Sequence, residues 1–159
     1  MIELRPLEID DCQRIYNSLQ DASGFLIRNK IISEVEHHDW FARLYKDKSQ
    51  LYLAITVGGK YSGFVGARDI DYIHKRGSLI IYMVKENRGR GYGNRIVNEF
   101  SGYFFKQLNM NKLYLDVLGR NEVAIKCYQK CGFKEEGRFK KHAWLDGNYW
   151  DVIRMARFV

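Results

Sequence analysis

Apolar and polar residues follow two different periods along the chain, and the changes between them predict the order of secondary structure. Alternation with a period of two, or a short apolar run ending in turn residues, indicates a β-strand. Apolar residues spaced three and four apart indicate an amphipathic helix. Strands are predicted at residues 2–5, 51–57, 61–67, 78–84 and 112–118, with two more within 133–159. Helices are predicted at residues 12–19, 34–45 and 121–130, with another running from a glycine-rich stretch to about residue 108.

Turn residues between these elements indicate which neighbouring strands form hairpins and where a helix ends, and this order predicts the fold class. Gly58 and Gly59 suit a hairpin between two strands, and residues 146–148 suit another between the last two. Gly132 follows the last turn of a predicted helix and ends it. Antiparallel strands therefore come first, and strand–helix–strand units come in the middle. This order predicts an α/β (α+β) domain with one mixed, mostly antiparallel sheet and helices on both faces.

Length and composition agree with one domain spanning residues 1–159. The 159 residues are 46% hydrophobic and 14% aromatic, which is enough for one core, and a single proline argues against linkers. No apolar run reaches the roughly 18 residues that a membrane span needs, so we expect no membrane partner. The N-terminus lacks a basic and then apolar signal pattern, and we expect a cytoplasmic protein. The oligomeric state is left open, with a homodimer as one candidate.

Net charge indicates which chemical class of ligand the protein binds, and the cysteine count indicates whether disulfides or a metal site are expected. The formal net charge is +7, yet no nucleic-acid-binding signature accompanies it, so an anionic small molecule accounts for the charge without nucleic acid. The three cysteines are Cys12, Cys127 and Cys131, an odd number that argues against a disulfide framework. Cys127 and Cys131 are four residues apart but have no cluster of further cysteines or histidines nearby. We therefore expect buried thiols on one helix face and no metal site.

A glycine-rich loop lies between the predicted strand at 78–84 and the helix that follows it. The first N–H groups of a helix have no partner inside the helix and carry the positive end of its dipole, so they attract anions. Glycines allow close approach and positive φ angles, and arginines add charge. The loop therefore predicts a phosphate or pyrophosphate site. Its residues are Arg88, Gly89, Arg90, Gly91, Tyr92, Gly93 and Asn94.

Two motifs in sequence order carry a resemblance to a known family. The first is Arg-x-x-Gly-x-Gly, at Arg88, Gly91 and Gly93. The second is N-x-x-A-x-x-x-Y-x-x-x-G-F, which runs through residues 121–133. Together they resemble the GCN5-related N-acetyltransferase (GNAT) family, over roughly residues 51–159. Neither the G-x-G-x-x-G dinucleotide fingerprint nor the Walker A pattern fits the loop.

The resemblance implies a co-substrate, acetyl-CoA, and a role for each motif. The pyrophosphate would lie on the N–H groups of the glycine-rich loop. The strand before the loop would splay from its neighbour, so that Met83 and Val84 offer backbone groups to the pantetheine arm, and an N–H near Met83 would polarise the thioester carbonyl. Tyr128 would protonate the leaving thiolate as general acid. Asn121 would bind the pantetheine arm or cap its own helix, and the two roles are compatible.

The general base is not identified by the sequence. Many members of the family carry a glutamate on the fourth strand, where this chain has Ser78. Proton removal would then run through water or through another side chain. The candidates are Glu34, Glu36, His37, His38, Asp69 and Asp71.

The acceptor is expected to be a small primary amine. The C-terminal residues are similar to a subgroup that acetylates ribosomal proteins, spermidine or nucleotide-linked amino sugars, and residues 25–44 are similar to the amino-sugar branch. The positive charge also favours an anionic acceptor. A nucleotide-linked amino sugar is therefore the main expectation, with a protein N-terminal amine or a polyamine as alternatives. Residues 25–40 are expected to build the acceptor pocket, and an acyl-CoA-binding module without turnover is the non-enzymatic alternative.

Overall fold

The computed structural model describes residues 1–22 and 32–159. In these residues a seven-stranded sheet has the order β1-β2-β3-β4-β5-β7-β6, with every neighbouring pair antiparallel except β4 and β5. The strands are β1 (Ile2–Pro6), β2 (Leu51–Val57), β3 (Lys60–Asp71), β4 (Arg76–Met83), β5 (Lys112–Leu118), β6 (Lys134–Leu145) and β7 (Asn148–Phe158). The helices are α1 (Asp11–Asp21), α2 (Glu34–Leu44), α3 (Tyr92–Lys106) and α4 (Glu122–Lys130), with a 3-10 turn at Lys85–Asn87.

Helices cover both faces of the sheet, as the hydrophobic pattern predicts. On one face, α3 and α4 pack over a core that includes Phe100, Phe104 and Leu113. On the other face, α1 and α2 pack over a smaller, aromatic core around Phe64 and Tyr82. Alternate residues of the central strands supply the two cores, since successive strand side chains point to opposite faces. The predicted fold class is confirmed.

Several boundaries differ from the sequence prediction by one or two residues, and the end of β3 differs by four. β3 continues to Asp71 instead of ending at residue 67, because it forms a long hairpin with β4. Asp71 closes that hairpin by accepting hydrogen bonds from the N–H groups of Ile73 (3.0 Å) and His74 (2.9 Å). α3 ends at Lys106, two residues early, and the chain then takes a left-handed turn at Asn109 (φ 53°).

A buried carboxylate fixes the start of α1 against β1. The Asp11 side chain has no exposed surface. It accepts hydrogen bonds from both terminal guanidinium nitrogens of Arg5 (2.6 and 3.0 Å), from Arg14 (2.9 Å) and from the Glu8 N–H (2.9 Å). Burial alone would raise the pKa of Asp11, but these hydrogen bonds outweigh it, so the pKa lies below its ordinary value. Asp10, at the N-cap, makes no side-chain capping bond.

No α-helix among residues 1–22 and 32–159 is both long enough and apolar enough to cross a bilayer.

We predict that Asp11→Ala destabilises the fold by about 3–5 kcal/mol, because it leaves two arginines without their buried partner. Asp10→Ala is the matched control; its exposed side chain caps nothing, so the change should stay within about 0.5 kcal/mol. Urea unfolding at several pH values measures both. Because the folded pKa of Asp11 is lowered, its contribution is complete above the ordinary pKa of about 3.9 and is lost as the pH falls below that value. Equal destabilisation by the two variants would contradict the assignment.

Candidate active site

The two central parallel strands separate soon after they meet. β4 and β5 share only three register pairs, Arg76 with Lys112, Gly77 with Leu113 and Ser78 with Tyr114. Beyond these pairs, β4 continues to Met83 and β5 continues to Leu118 without pairing with each other. The result is an opening between the strands, which we call the β4–β5 cleft. The splay implied by the family resemblance is therefore present in the structure.

Backbone groups of β4 face this cleft. The Val84 N–H donates to the Ser62 carbonyl on the opposite side (3.0 Å), which makes these two residues a hydrogen-bonded pair. Because hydrogen-bonded and non-hydrogen-bonded pairs alternate along antiparallel strands, the N–H and C=O of Met83 and Ile81 point away from β3 and into the cleft. The sequence prediction for Met83 thus has a matching backbone direction.

Val84 does not match its prediction. Its N–H is taken by Ser62, and its carbonyl accepts a hydrogen bond from the Asn87 N–H (3.1 Å) at the 3-10 turn. The structure therefore directs both backbone groups of Val84 away from the cleft. The sequence could not distinguish Val84 from Met83, because which strand residue faces the cleft depends on the register with β3.

The glycine-rich loop leads directly from the end of β4 into α3. Gly91 is the N-cap of α3, has a left-handed backbone (φ 77°) and provides no side chain to cap the helix. Gly89 is also left-handed (φ 73°), and a Cβ at either position would meet only open space, so the backbone angle and not crowding requires glycine. The N–H groups of the first helical turn, at Tyr92, Gly93 and Asn94, are therefore available to an anion.

Gly93 has a different function in the structure. A Cβ at this position would lie 3.3 Å from the Cys127 sulfur, so the glycine allows α3 and α4 to approach each other. Cys131 continues this contact by donating its S–H to the Asn94 carbonyl (3.5 Å). The expected pairing of Cys127 and Cys131 on one helix face is thus present, and both thiol pKa values are raised, mainly by burial. In the described parts of the chain, no group of histidine, cysteine and acidic side chains could hold a metal ion.

The two arginines of the loop separate. Arg88 folds back: its Nε donates to the Met83 carbonyl (2.7 Å), and its guanidinium lies over the Tyr82 ring (5.2 Å). Arg90 is exposed on the loop. Sequence reasoning placed both charges at the anion site, but the structure gives Arg88 a contact with the end of β4 instead.

Tyr128 lies on α4 at the margin of the main core, where Met83 and Tyr92 also pack. Its ring contacts Phe133 (centroids 5.9 Å apart), and among residues 1–22 and 32–159 its hydroxyl has no hydrogen-bond partner. Burial, with a smaller effect from the two neighbouring thiols, raises the pKa of Tyr128 well above its ordinary value. The raised pKa keeps the proton on the hydroxyl, where it is present for donation to a thiolate, and it also makes the hydroxyl a weaker acid than an ordinary tyrosine.

Asn121 begins α4 as its N-cap. Its side-chain oxygen accepts a hydrogen bond from the Ala124 N–H (3.2 Å). The capping alternative is thus observed, and the amide nitrogen remains the part of the side chain that could contact a pantetheine arm.

The candidate bases are mostly engaged elsewhere. His37 is buried against aromatic rings and bonds the Cys12 carbonyl (2.8 Å), and burial lowers its pKa. Glu36 forms a capping box with Ser33, and His38 is exposed beside Glu34 (3.9 Å). Asp71 closes the β3–β4 hairpin, as described above.

Asp69 is the candidate base nearest to the β4–β5 cleft. It has a left-handed backbone on β3 (φ 51°). Burial and the nearby charge of Asp69 raise the pKa of Tyr114, which lies on β5 at the cleft.

Asp116 is a carboxylate on the cleft wall that sequence reasoning did not single out. The register of Ser78 with Tyr114 places it across the opening from Ile80, on the face covered by α1 and α2. Arg154 of β7 holds it through two hydrogen bonds (2.8 Å each) and lies over the Tyr114 ring (4.8 Å). The alternation of polar Tyr114 and Asp116 with apolar Leu113 and Leu115 was the available signal.

The chain belongs to the GNAT acetyltransferase family, whose model, described as an acetyltransferase (GNAT) domain, matches residues 2–134. The fold and the cleft thus define an N-acetyltransferase that uses acetyl-CoA. Spermidine N(1)-acetyltransferase of Escherichia coli K12 is 31% identical over 159 residues, covering 99% of this chain and 86% of that protein. The corresponding protein of Vibrio cholerae is 37% identical over 157 residues, covering 97% and 91%.

A solved relative has the same architecture. The crystal structure of spermidine N-acetyltransferase from Vibrio cholerae in complex with CoA and spermine superposes with a TM-score of 0.92 at 28% identity, covering 99% of this chain and 95% of that one. A putative ribosomal N-acetyltransferase of Bacillus subtilis is more distant, at 22% identity over 115 residues, which is 72% of this chain and 62% of that protein.

We predict that Asn121→Ala lowers the free energy of unfolding by about 1 kcal/mol, because it removes the α4 cap. Asn121→Ser keeps an oxygen that caps equally well and should retain most of that stability. Thermal unfolding and calorimetric titration with CoA separate the two roles. Weaker CoA binding by both variants would add a pantetheine contact to the cap, whereas full stability in Asn121→Ala would contradict the capping role.

Proposed function

We propose that acetyl-CoA binds along the β4–β5 cleft with its pyrophosphate at the start of α3. One observation carries this placement: the unpaired edge of β4 leads through two left-handed glycines into a helix without a side-chain cap. The pyrophosphate accepts hydrogen bonds from the N–H groups of Tyr92, Gly93 and Asn94. The pantetheine arm replaces the missing strand and bonds the backbone of Ile81 and Met83.

The proposed chemistry uses one backbone donor and one acid. The amine attacks the thioester carbonyl, the Met83 N–H stabilises the oxygen as it gains charge, and the C–S bond then breaks as the amide forms. Water or Asp116 takes up the proton that the amine loses, and Tyr128 gives its own proton to the leaving thiolate. The tyrosinate then regains a proton from solvent before the next turnover.

We propose a polyamine such as spermidine as the acceptor. The support comes from the relatives, since two spermidine N(1)-acetyltransferases match nearly the whole chain at 31% and 37% identity. They favour this alternative over the nucleotide-linked amino sugar that the sequence analysis put first. The net charge of +7 is a property of the whole surface, and local carboxylates can still attract a cation.

A nucleotide-linked amino sugar remains as the second candidate because of Arg68. This residue pairs with Ser78 in the sheet, on the face where the acceptor would approach. Its Nε is fully buried and has no hydrogen-bond partner in the described parts of the chain. A guanidinium in that state favours an anionic group, such as a phosphate, over a polycation. Residues 25–31 of the segment expected to build the acceptor pocket lie outside the described residues.

We also propose that residues 1–159 form one N-acetyltransferase domain, because one sheet runs from Ile2 to Phe158. A homodimer and a cytoplasmic location stay predictions. One solved spermidine N-acetyltransferase from Vibrio cholerae is described as dodecameric, so larger assemblies belong in any test of the oligomeric state.

The acceptor is tested by steady-state turnover of spermidine, a nucleotide-linked amino sugar and an N-terminal ribosomal peptide, each at low and high salt. We expect spermidine to have the highest kcat/KM. Salt should leave this value unchanged or raise it, because it screens repulsion between a cation and a +7 protein. Preferred turnover of the amino sugar, with kcat/KM falling as salt rises, would overturn the polyamine proposal and support the second candidate.

We predict that Gly91→Asp weakens acetyl-CoA binding strongly, because it places a negative charge at the proposed pyrophosphate site. Gly91→Asn is the matched control, since asparagine has nearly the same shape, tolerates left-handed angles and carries no charge. Calorimetry should show a clearly larger loss for the aspartate variant, shrinking with added salt. Equal affinities for the two variants would remove the pyrophosphate from this loop.

We predict that Tyr128→Phe lowers kcat by about 10²-fold or more while CoA affinity changes little, because only the acid is removed. The measurement is single-turnover kinetics, which isolates the chemical step. The control is Tyr103→Phe, a similar change at a partly exposed tyrosine of α3 that is outside the cleft. A near-normal single-turnover rate for Tyr128→Phe would reassign the residue to packing.

A further inference from the structure

Four residues from α1, β4 and the glycine-rich loop meet at the end of β4, on the face covered by α1. The Tyr82 hydroxyl donates to Asp21 (2.8 Å), and the Arg88 guanidinium lies 3.7 Å from the same Asp21 oxygen. The Arg88 guanidinium also lies over the Tyr82 ring (5.2 Å), and its Nε donates to the Met83 carbonyl (2.7 Å). We call Asp21, Tyr82 and Arg88 the Asp21 cluster. Through Arg88 the cluster contacts Met83, the residue whose N–H faces the cleft.

Arg88 takes the place of a missing strand partner. Beyond Ser78, β5 supplies no pair to β4, so the last carbonyl of β4 needs another donor. The N–H and C=O of one strand residue point to the same side, although they belong to the two peptide units that flank its Cα. By holding the Met83 carbonyl (2.7 Å), Arg88 restrains the backbone torsions between these two units, and thereby the proposed oxyanion donor.

Stability alone does not explain the cluster. Asp21 is 42% exposed and Arg88 is 34% exposed, and exposed ion pairs at 3.7 Å contribute little. The end of β4 is already held by other bonds, from the Val84 N–H to Ser62 (3.0 Å) and from the Asn87 side chain to the Ser62 hydroxyl (2.9 Å). What the cluster adds is a donor to the Met83 carbonyl on the cleft side, where β5 provides none.

The cluster also connects α1 with the glycine-rich loop. Asp21 is the last residue of α1 and precedes the connection to α2, whereas Arg88 opens the glycine-rich loop. Burial and the bond to Asp21 raise the pKa of Tyr82 to about 12, so its hydroxyl donates throughout the working pH range. A change in the position of Asp21 would therefore reach Met83 through the ion pair with Arg88 (3.7 Å) and the hydrogen bond from Arg88 to the Met83 carbonyl.

We propose that Asp21, Tyr82 and Arg88 are positioning residues that aim the Met83 N–H at the thioester carbonyl. The inference rests on the proposed binding of acetyl-CoA in the β4–β5 cleft. It gives Arg88, an arginine of the glycine-rich motif, a role in the chemical step instead of a contact with pyrophosphate. Substitutions in the cluster should therefore lower kcat and leave the affinity for CoA nearly unchanged.

The first test compares Arg88→Lys with Tyr82→Phe and Asp21→Asn. Lysine keeps the charge that a pyrophosphate contact would need but loses the Nε bond to Met83. We expect kcat to fall about tenfold or more in Arg88→Lys and several-fold in the other two, with CoA Kd within about threefold of wild type.

The Asp21→Asn/Arg88→Lys double variant should be no slower than the worse single variant, since the residues act as one unit. Lys85→Ala is the control: Lys85 is 73% exposed and 3.9 Å from the other Asp21 oxygen, so kcat should change less than twofold.

The second test is independent of turnover. In ¹⁵N-labelled protein, the Met83 amide resonance should shift when acetyl-CoA is added to wild type and shift much less in Arg88→Lys. Equal shifts in both proteins, or unchanged kcat with a weakened CoA Kd, would overturn the positioning role. No Met83 shift in wild type, despite tight acetyl-CoA binding, would instead overturn the proposed placement of the thioester, and with it the basis of the inference.

Discussion

The separation of β4 from β5 is the constraint on which the rest of the active site depends. Three register pairs hold the two parallel strands together, and β4 then runs on to Met83 with one backbone edge unpaired. Unpaired N–H and C=O groups at the centre of a sheet are costly unless something satisfies them. The protein satisfies the last carbonyl with Arg88 and leaves N–H groups for a ligand. The cleft is therefore part of the fold itself.

The surrounding elements hold this opening in place. The hairpin of β3 with β4 fixes which residues face the cleft, because the Ser62–Val84 bond sets the alternation. On one face, α3 begins beside the cleft and contributes its uncapped N-terminus, and Gly93 lets α4 approach closely enough to place Tyr128 at the same core margin. On the other face, α1 reaches the end of β4 through Asp21. The two faces of the sheet thus meet at the end of one strand.

Local signals in the sequence predicted most elements and the backbone geometry of the glycine-rich loop, and they were insufficient where long-range contacts decide. Period-two and helical patterns placed the strands and helices, and the glycines of the loop have the positive φ angles expected at residues 89 and 91. The contacts of Val84 and Arg88 could not be read from the sequence, because the direction of a backbone group depends on strand register and the direction of a long side chain depends on distant partners such as Asp21. Asp116 was missed for the same reason: only its register with β4 brings it to the cleft. The acceptor expectation relied on the similarity of residues 25–44 to the amino-sugar branch and on net charge, and net charge does not describe the side chains of a local pocket.

The most direct test is a crystal structure of the protein with a stable acetyl-CoA analogue bound. The account predicts the analogue's carbonyl oxygen about 2.7–3.1 Å from the Met83 nitrogen, with the pantetheine arm along the unpaired edge of β4 and the pyrophosphate at the N-terminus of α3. An analogue bound outside the β4–β5 cleft, or with its carbonyl oxygen turned away from Met83, would contradict it.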